Sequence, residues 1–155
     1  MPRPGRSVLR LAAGALFVVS CICALGAAAS NGSTGPAVIR LTDVQSSDVT
    51  LAREGRLGSV EIIEQRLFGS GSPKKVIGHG IVNCMWVSDR ERSCDGTYIL
   101  PRGMLVTNGV LQSRLFYTVA ITGGTGFYDN ARGTLTVTAE KLKPRRELLL
   151  FRLTG

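Results

Sequence analysis

The sequence predicts an all-β fold: one small domain of about eight short strands, built as a sandwich or an up-and-down barrel. Three observations carry the prediction. Short runs rich in Val, Ile, Leu, Thr and aromatic residues recur from residue 37 to the end of the chain, and runs of that length and composition read as strands. Clusters of Gly, Pro, Ser and Arg separate them at regular intervals, as turns do. No stretch of this body carries the apolar stripe at helical spacing that a packed helix needs. Eight strands are enough to close a barrel.

Ahead of the body stands an export signal. Arg3, Arg6 and Arg10 form a basic lead, residues 11–25 are almost wholly apolar, and Ala27-Ala-Ala29 before Ser30 fits a small-residue cleavage pattern. Residues 1–29 therefore read as a signal peptide, with the folded part secreted. Two alternatives stand beside this. Residues 11–29 are about long enough to cross a bilayer as a retained anchor, and Val18-Val-Ser-Cys21 has the context of a lipidated cysteine, although the residues after Cys21 stay apolar. Residues 30–36 read as a flexible lead that holds a formal glycosylation sequon at Asn31. Residues 37–155 form the single domain.

Without Arg3, Arg6 and Arg10 the chain keeps 16 basic against 11 acidic residues, a charge of about +5. The bases at Arg53, Arg56, Arg66, Arg90, Arg92 and Arg114 are scattered, and the one cluster, residues 141–146, surrounds Pro144 and reads as a solvated turn. A nucleic-acid surface would interleave bases with exposed aromatics, and no such stripe is present, so no nucleic-acid partner is expected.

The strand runs, in order, are 37–44, 59–68, 76–87, 95–100, 104–111, 114–122, 133–140 and 148–153. Turn signals at 69–73, 88–92, 101–103, 123–132 and 143–146 separate most of them. In the third run Gly78, Gly80, Val82, Cys84 and Trp86 share one face, while Ile77, His79, Ile81, Asn83, Met85 and Val87 share the other. Both faces are largely apolar, whereas a lone barrel would show a polar outer face. Part of the outer wall is therefore expected to be covered by loops, by the N-terminal segment or by another subunit.

Cys84 and Cys94 remain after the signal, and an even pair in an exported domain reads as a disulfide. The polar turn at 88–91 between them makes it a bridge across a hairpin, near its open end. Closing a loop of about ten residues contributes on the order of 2–3 kcal/mol in the chain-entropy model. Free thiols or a metal site are the alternatives, but His79 is the only histidine and no further Cys is available in the body, too few ligands for a zinc centre. No metal and no cofactor is expected.

The most distinctive run is Ile121-Thr-Gly-Gly-Thr-Gly-Phe-Tyr-Asp-Asn-Ala-Arg-Gly133. Its glycines suggest a phosphate cradle, but a dinucleotide fingerprint needs a helix after them and a third Gly where helix meets strand. That position holds Asp129, and residues 134–139 alternate with the period of a strand. The run reads instead as a tight corner between two strands, where glycines supply positive φ and close backbone approach.

Val119-Ala-Ile-Thr-Gly-Gly-Thr-Gly-Phe-Tyr-Asp-Asn-Ala-Arg-Gly133 resembles the signature of the allene oxide cyclase and dirigent barrel superfamily. Val76-Ile-Gly-His-Gly-Ile-Val-Asn-Cys84, Cys94-Asp-Gly-Thr-Tyr98, Leu100-Pro-Arg-Gly103 and Leu149-Leu-Phe-Arg-Leu153 fit it too, so the resemblance covers most of residues 37–153. It implies an eight-stranded antiparallel, calycin-like up-and-down barrel with an apolar lumen, commonly trimeric. The polar pocket positions of the plant cyclases fall here on Arg40, Thr42, Gln65 and Cys84, and their pocket Tyr on Leu111. Two polar roles are thus changed in character, one aromatic is lost and one thiol is occupied, which argues against allene oxide cyclisation.

The dirigent side of the resemblance implies a different role: orienting radicals made by a partner oxidase inside a shaped apolar cavity. Arg132 is its anchor candidate, with a surface arginine at a strand start as the plain alternative. Trp86, Tyr98, Phe116 and Tyr117 line a ligand site or simply pack the core. No residue is assigned a catalytic role: Glu61 and Glu64 lie on opposite faces of one strand, and His79 reads as a satisfied barrel histidine. The ligand-binding candidates are Arg40, Gln65, Trp86, Tyr98 and Arg132. The expected function is an exported barrel that binds or orients a small apolar molecule in its lumen without turnover of its own. An isomerase (cyclase) with a rearranged pocket, or a structural surface-interaction barrel, are the alternatives.

Overall fold

The computed structural model describes residues 38–51, 55–70 and 72–154. Residues 1–29, read from sequence as a signal peptide, the lead, Cys21 and the sequon at Asn31 lie outside the described residues. Eight strands follow one another: β1 (Val38–Leu51), β2 (Val60–Gly69), β3 (Ser72–Trp86), β4 (Arg92–Leu100), β5 (Gly103–Leu111), β6 (Phe116–Gly124), β7 (Arg132–Leu142) and β8 (Arg145–Thr154). Each pairs antiparallel with the next, and β8 pairs with β1 to close the barrel. This is the up-and-down barrel; a sandwich is excluded by the closure. A three-residue 3-10 turn, Gly126–Tyr128, is the one other regular element among the described residues.

The period-two alternation decides which side chains fill the lumen. Leu67, Leu105, Leu135, Val137, Leu149 and Phe151 are sealed from water there, each contributing about 1.5–3 kcal/mol of apolar burial. Tyr98 packs edge-on against Phe151 with ring centroids 5.1 Å apart. The opposite parity faces out. On β3 to β5 it carries Ile81, Met85, Ile99, Val106 and Val110, all exposed in the single chain. The mixed faces of the third run thus become a lumen lined by Val82 and Cys84 and an apolar outer wall. His79 is exposed on that wall, not buried as a barrel histidine.

The strands are longer than their apolar runs suggest. β1 continues from Val44 to Leu51 through a bulge between Gln45 and Ser47, paired with β2 up to Val60. This extension buries no face: residues 46–51 are all exposed, Val49 and Leu51 among them, so no apolar run marks it in the sequence. β8 begins at Arg145, inside the segment that reads as a solvated turn. The Cys84–Cys94 disulfide forms between directly opposed residues of β3 and β4. Only the pairs Met85–Ser93 and Trp86–Arg92 separate it from the turn, so the bridge lies near the turn and not at the open end of the hairpin.

The two ends of the barrel differ. At one end the corner between β6 and β7 folds onto the β4–β5 turn. Thr125 N donates to Met104 O at 2.9 Å, Phe127 N donates to Arg102 O at 2.8 Å, and the Arg102 guanidinium covers the Phe127 ring at 3.2 Å. Tyr128 and Ala131 are buried beneath. Gly133 has φ +140°, and a Cβ there would lie 1.9 Å from Arg152 O, so backbone contact requires glycine. The glycine corner therefore seals the barrel. The start of β1 at Val38, beside Arg152 of β8, also lies at this end. The connections β1–β2, β3–β4, β5–β6 and β7–β8 surround the other end, the mouth.

Candidate functional site

Toward the mouth the inward positions stop being apolar. β1 contributes Asp43, in phase with Leu41; β2 contributes Glu61 and Gln65, in phase with Leu67; β4 contributes Arg92, in phase with Cys94; β8 contributes Glu147, in phase with Leu149. Strand parity thus forces charged groups into the lumen, where each must be paired or neutralised.

The pairing is explicit. Arg92 Nη1 donates to Glu61 Oε2 at 2.8 Å, and Arg114 Nη2, from the β5–β6 connection, donates to the same oxygen at 3.1 Å. Arg145 Nε donates to Glu147 Oε1 at 2.7 Å, Gln65 Nε2 donates to Glu147 Oε2 at 3.3 Å, and Glu147 N donates to Asp43 Oδ1 at 2.8 Å. Arg145 also donates to the carbonyl of Arg114. Gly80 leaves the room that Gln65 uses: a Cβ at Gly80 would meet Gln65 Oε1 at 2.7 Å.

Burial raises the Asp43 carboxyl from 3.8 to about 8, helped by the charge of Glu147 and opposed by the Glu147 amide and by Arg145. Burial and the neighbouring Glu147 carboxylate thus favour the protonated form of Asp43. Burial, followed by the neighbouring Arg114, pulls the Arg92 guanidinium below its usual value, and Glu61 offsets this. Burial pushes the Tyr117 hydroxyl up, with Glu147 next in weight. Three buried polar atoms have no partner within the protein: Asp43 Oδ2, Gln65 Oε1 and Trp86 Nε1.

These groups enclose little space. A cavity of about 50 Å3 is lined by Glu61, Gln65, Cys84, Arg92, Arg145 and Glu147, among others; that is room for roughly one or two waters. Outside it lies a recess of about 610 Å3, lined by Trp86, the 88–91 turn, Gln112 and Arg114. Across the mouth a second recess of about 410 Å3 runs along Ser46, Ser47, Lys143, Pro144 and Arg145, again with Arg114. Two guanidiniums lie over the Trp86 ring, Arg92 at 5.5 Å and Arg114 at 5.9 Å from its centroid.

The candidates named from sequence scatter over this frame. Gln65 enters the cavity and Trp86 stands at its rim. Tyr98 is buried in the packed lumen, and burial pushes its hydroxyl up. Arg40 is exposed on the outer wall, because Leu41 and Asp43 take the inward parity of β1; the carboxyl of that strand in the lumen is Asp43, one residue beyond Thr42. Arg132 is exposed at the sealed end and donates to Ala131 O at 2.9 Å. Leu111 and Cys84 line the cavity, the latter as half of the disulfide. Sequence reading missed Asp43, Arg92, Arg114, Arg145 and Glu147. The available signal was phase: each acid or base on a strand shares its parity with buried apolar neighbours. Among the described residues, no group of His, Cys, Asp and Glu could hold a metal ion.

The arrangement can accept a hydrogen bond at Gln65 in the cavity and donate one from the Trp86 indole beside the recess, while Asp43 is buried against Glu147 and lines none of these spaces. No protein-family model matches the chain, and no curated protein matches it. Solved structures do. A pyocyanin demethylase superposes with a TM-score of 0.64 at 25% identity, over 76% of this chain and 99% of that one. The pterocarpan synthase dirigent protein GePTS1 superposes with a TM-score of 0.57 at 16% identity, over 75% of this chain and 83% of that one. The Diels-Alderase AbmU from Streptomyces koyangensis gives 0.60 at 17% identity, over 76% of this chain and 64% of that one. The chain has the barrel fold of these proteins, dirigent proteins included, as the glycine-corner resemblance implied.

Proposed function

We propose that this chain is an exported barrel that binds or orients a small molecule at its mouth, with an apolar ring against Trp86 and a polar end directed to Gln65. The observation that carries the reading is the pair of buried, unpartnered polar atoms at one end of the barrel, Gln65 Oε1 and Trp86 Nε1. A buried polar atom without a partner costs about 1–3 kcal/mol, and a ligand that supplies the missing hydrogen bonds recovers that cost. A cavity of about 50 Å3 admits only the polar end of such a molecule, so the apolar body rests in the recess outside. Export is supported by the basic, apolar and small-residue order of residues 1–29. The fold neighbours are named for reactions of small organic molecules, and a partner oxidase would supply the chemistry in a dirigent-like role. Self-association through the apolar outer wall of β3 to β5, as a trimer by resemblance, completes the proposal.

A second reading has its own observation. Asp43 favours its protonated form with the charge of Glu147 beside it, a pairing suited to moving a proton. An isomerase or cyclase would use it.

Trp86 is the only tryptophan of the chain, so its fluorescence reports binding directly. Titration with a panel of aromatic phenols and heteroaromatic ketones should give a saturable change, weakened about tenfold or more by Gln65→Leu. A panel that leaves Trp86 unchanged would sink the binding reading in favour of a structural barrel. Turnover of any bound compound by the purified protein, without an oxidase, would favour the isomerase.

A further inference from the structure

We infer that the outer wall of β8, β1 and β2 is a docking surface for a linear acidic polysaccharide, separate from the mouth. Bases that lie scattered along the sequence are gathered there by strand parity. Leu41 and Asp43 point inward on β1, Gln65 and Leu67 on β2, and Glu147, Leu149 and Phe151 on β8. Arg40, Arg66, Arg146 and Arg152 therefore take outward positions, and all four are exposed. None of them forms an ion pair or a side-chain hydrogen bond with a described residue. Glu64, which accepts from Ser47 Oγ at 2.9 Å, is the one acid at the outward positions of residues 38–44, 60–69 and 145–154.

The register sets the spacing. Val44 lies opposite Arg146 of β8 on one side and Arg66 of β2 on the other, which puts the two arginines two strands apart, about 10 Å. His79 of β3, also exposed, is paired with Arg66 and extends the row. Nearer the sealed end Arg40 lies opposite Leu150, and Arg152 lies opposite Val38, so these two arginines are diagonal neighbours about 7–8 Å apart. The two pairs stand about 13 Å apart along the strands, and together they form a strip of guanidiniums two wide. A guanidinium takes a carboxylate or a similar oxyanion through two parallel hydrogen bonds, and an extended chain that repeats such groups meets several guanidiniums at once. Other occupants fit less well. A bilayer is gripped by apolar side chains that stand out among the bases, whereas Thr42, Val44, Phe68 and Leu150 are half-buried here and Leu148 is 37% exposed. An acidic peptide would add to a sheet edge, and the closed barrel has none. Single-stranded nucleic acid needs exposed rings to stack on, and the one aromatic on this wall is Phe68. The apolar wall of β3 to β5 uses other strands, so self-association there leaves the basic strip open.

Affinity measurements on the full chain test the assignment. Heparin and polygalacturonate serve as the sulfated and carboxylated probes and dextran as the neutral one, with binding read by calorimetry at several salt concentrations. Wild type should bind both acidic chains and not dextran, with affinity falling as salt rises. Arg66→Gln with Arg146→Gln should weaken both at least about tenfold and flatten the salt dependence. Adding Arg40→Gln and Arg152→Gln should abolish binding. Arg56→Gln with Arg90→Gln removes the same charge elsewhere on the surface and should stay within about twofold of wild type. Urea midpoints equal to that of wild type show that the variants are folded. Equal losses in the two double variants would reduce the effect to net charge and overturn the site. Vesicles of phosphatidylglycerol that bind through the same arginines, while the polysaccharides do not, would make the partner a bilayer. A light-scattering mass that depends on these arginines in the absence of polysaccharide would make it a second copy. Either result overturns the assignment, and neither bears on the Trp86 titration at the mouth.

Discussion

Arg92 Nη1 stands 2.8 Å from Glu61 Oε2 inside the barrel, with side-chain exposures of 6% and 5%. The two residues come from strands separated by β3 and are brought together only by inward parity. A pair sealed this well is worth little relative to an apolar replacement, yet breaking it is expensive, because the remaining charge keeps its desolvation cost. Glu61→Leu is expected to lose about 3–5 kcal/mol of stability in urea denaturation, because Arg92 then stays buried without its carboxylate, whereas Arg92→Met should cost less, since Arg114 still donates to Glu61. Glu61→Leu combined with Arg92→Met should recover most of the Glu61→Leu loss. A Glu61→Leu variant as stable as wild type would refute the pair's structural role.

Asp43 ties stability to pH. Its carboxyl titrates near 8 in the folded chain against 3.8 as its ordinary value. The native state therefore keeps a proton that the unfolded chain releases above about pH 4, and stability falls as pH rises from about 4 to about 8. Above that window this group adds no further slope. The loss is on the order of a few kcal/mol. Asp43→Asn retains an acceptor for the Glu147 amide and cannot ionise. Its stability relative to wild type should grow across the window, measured by urea midpoints at pH 5, 7 and 9; parallel profiles would remove Asp43 as the source.

At the sealed end the distinctive sequence run separates into shape and surface. Gly133→Ala places a Cβ 1.9 Å from Arg152 O at a positive φ. It should cost at least about 2 kcal/mol in thermal or urea unfolding. Arg132→Ala removes an exposed side chain and should stay within about 0.5 kcal/mol of wild type, with Trp86 binding unchanged. Loss of binding in Arg132→Ala would restore that residue as an anchor.

The outer wall of β3 to β5 predicts association. Val110, 57% exposed, sits with Ile81, Met85, Ile99 and Val106 on one face of three adjacent strands. Light scattering at micromolar concentration should find wild type above the monomer mass, and Val106→Asp with Val110→Lys should return it to monomer. A wild type that is already monomeric contradicts an interface there.

How much of this was legible in the sequence follows from what is local. Strands, turns and the β6–β7 corner depend on neighbours in the chain, and eight runs with their turns sufficed to predict eight strands. The charged lumen depends on closure. Glu61 was weighed against Glu64 in its own strand, whereas its partner Arg92 lies 31 positions on and reads as one scattered base. Asp43 meets Glu147 across 104 positions. Arg145 was absorbed into a solvated turn, although Glu147, two residues on, draws it into the mouth. In β1 the family resemblance points to Arg40 and Thr42, while the parity of Leu41 selects Asp43.

Both ends of the barrel's own chain, Val38 in β1 and Thr154 in β8, emerge at the end closed by the glycine corner. A purification handle, a fluorescent fusion or a solid support carried on β8 beyond Thr154 therefore starts from the end opposite Trp86 and the recesses around it. Immobilised through that end on a sensor surface, the barrel turns its mouth to the flowing solution.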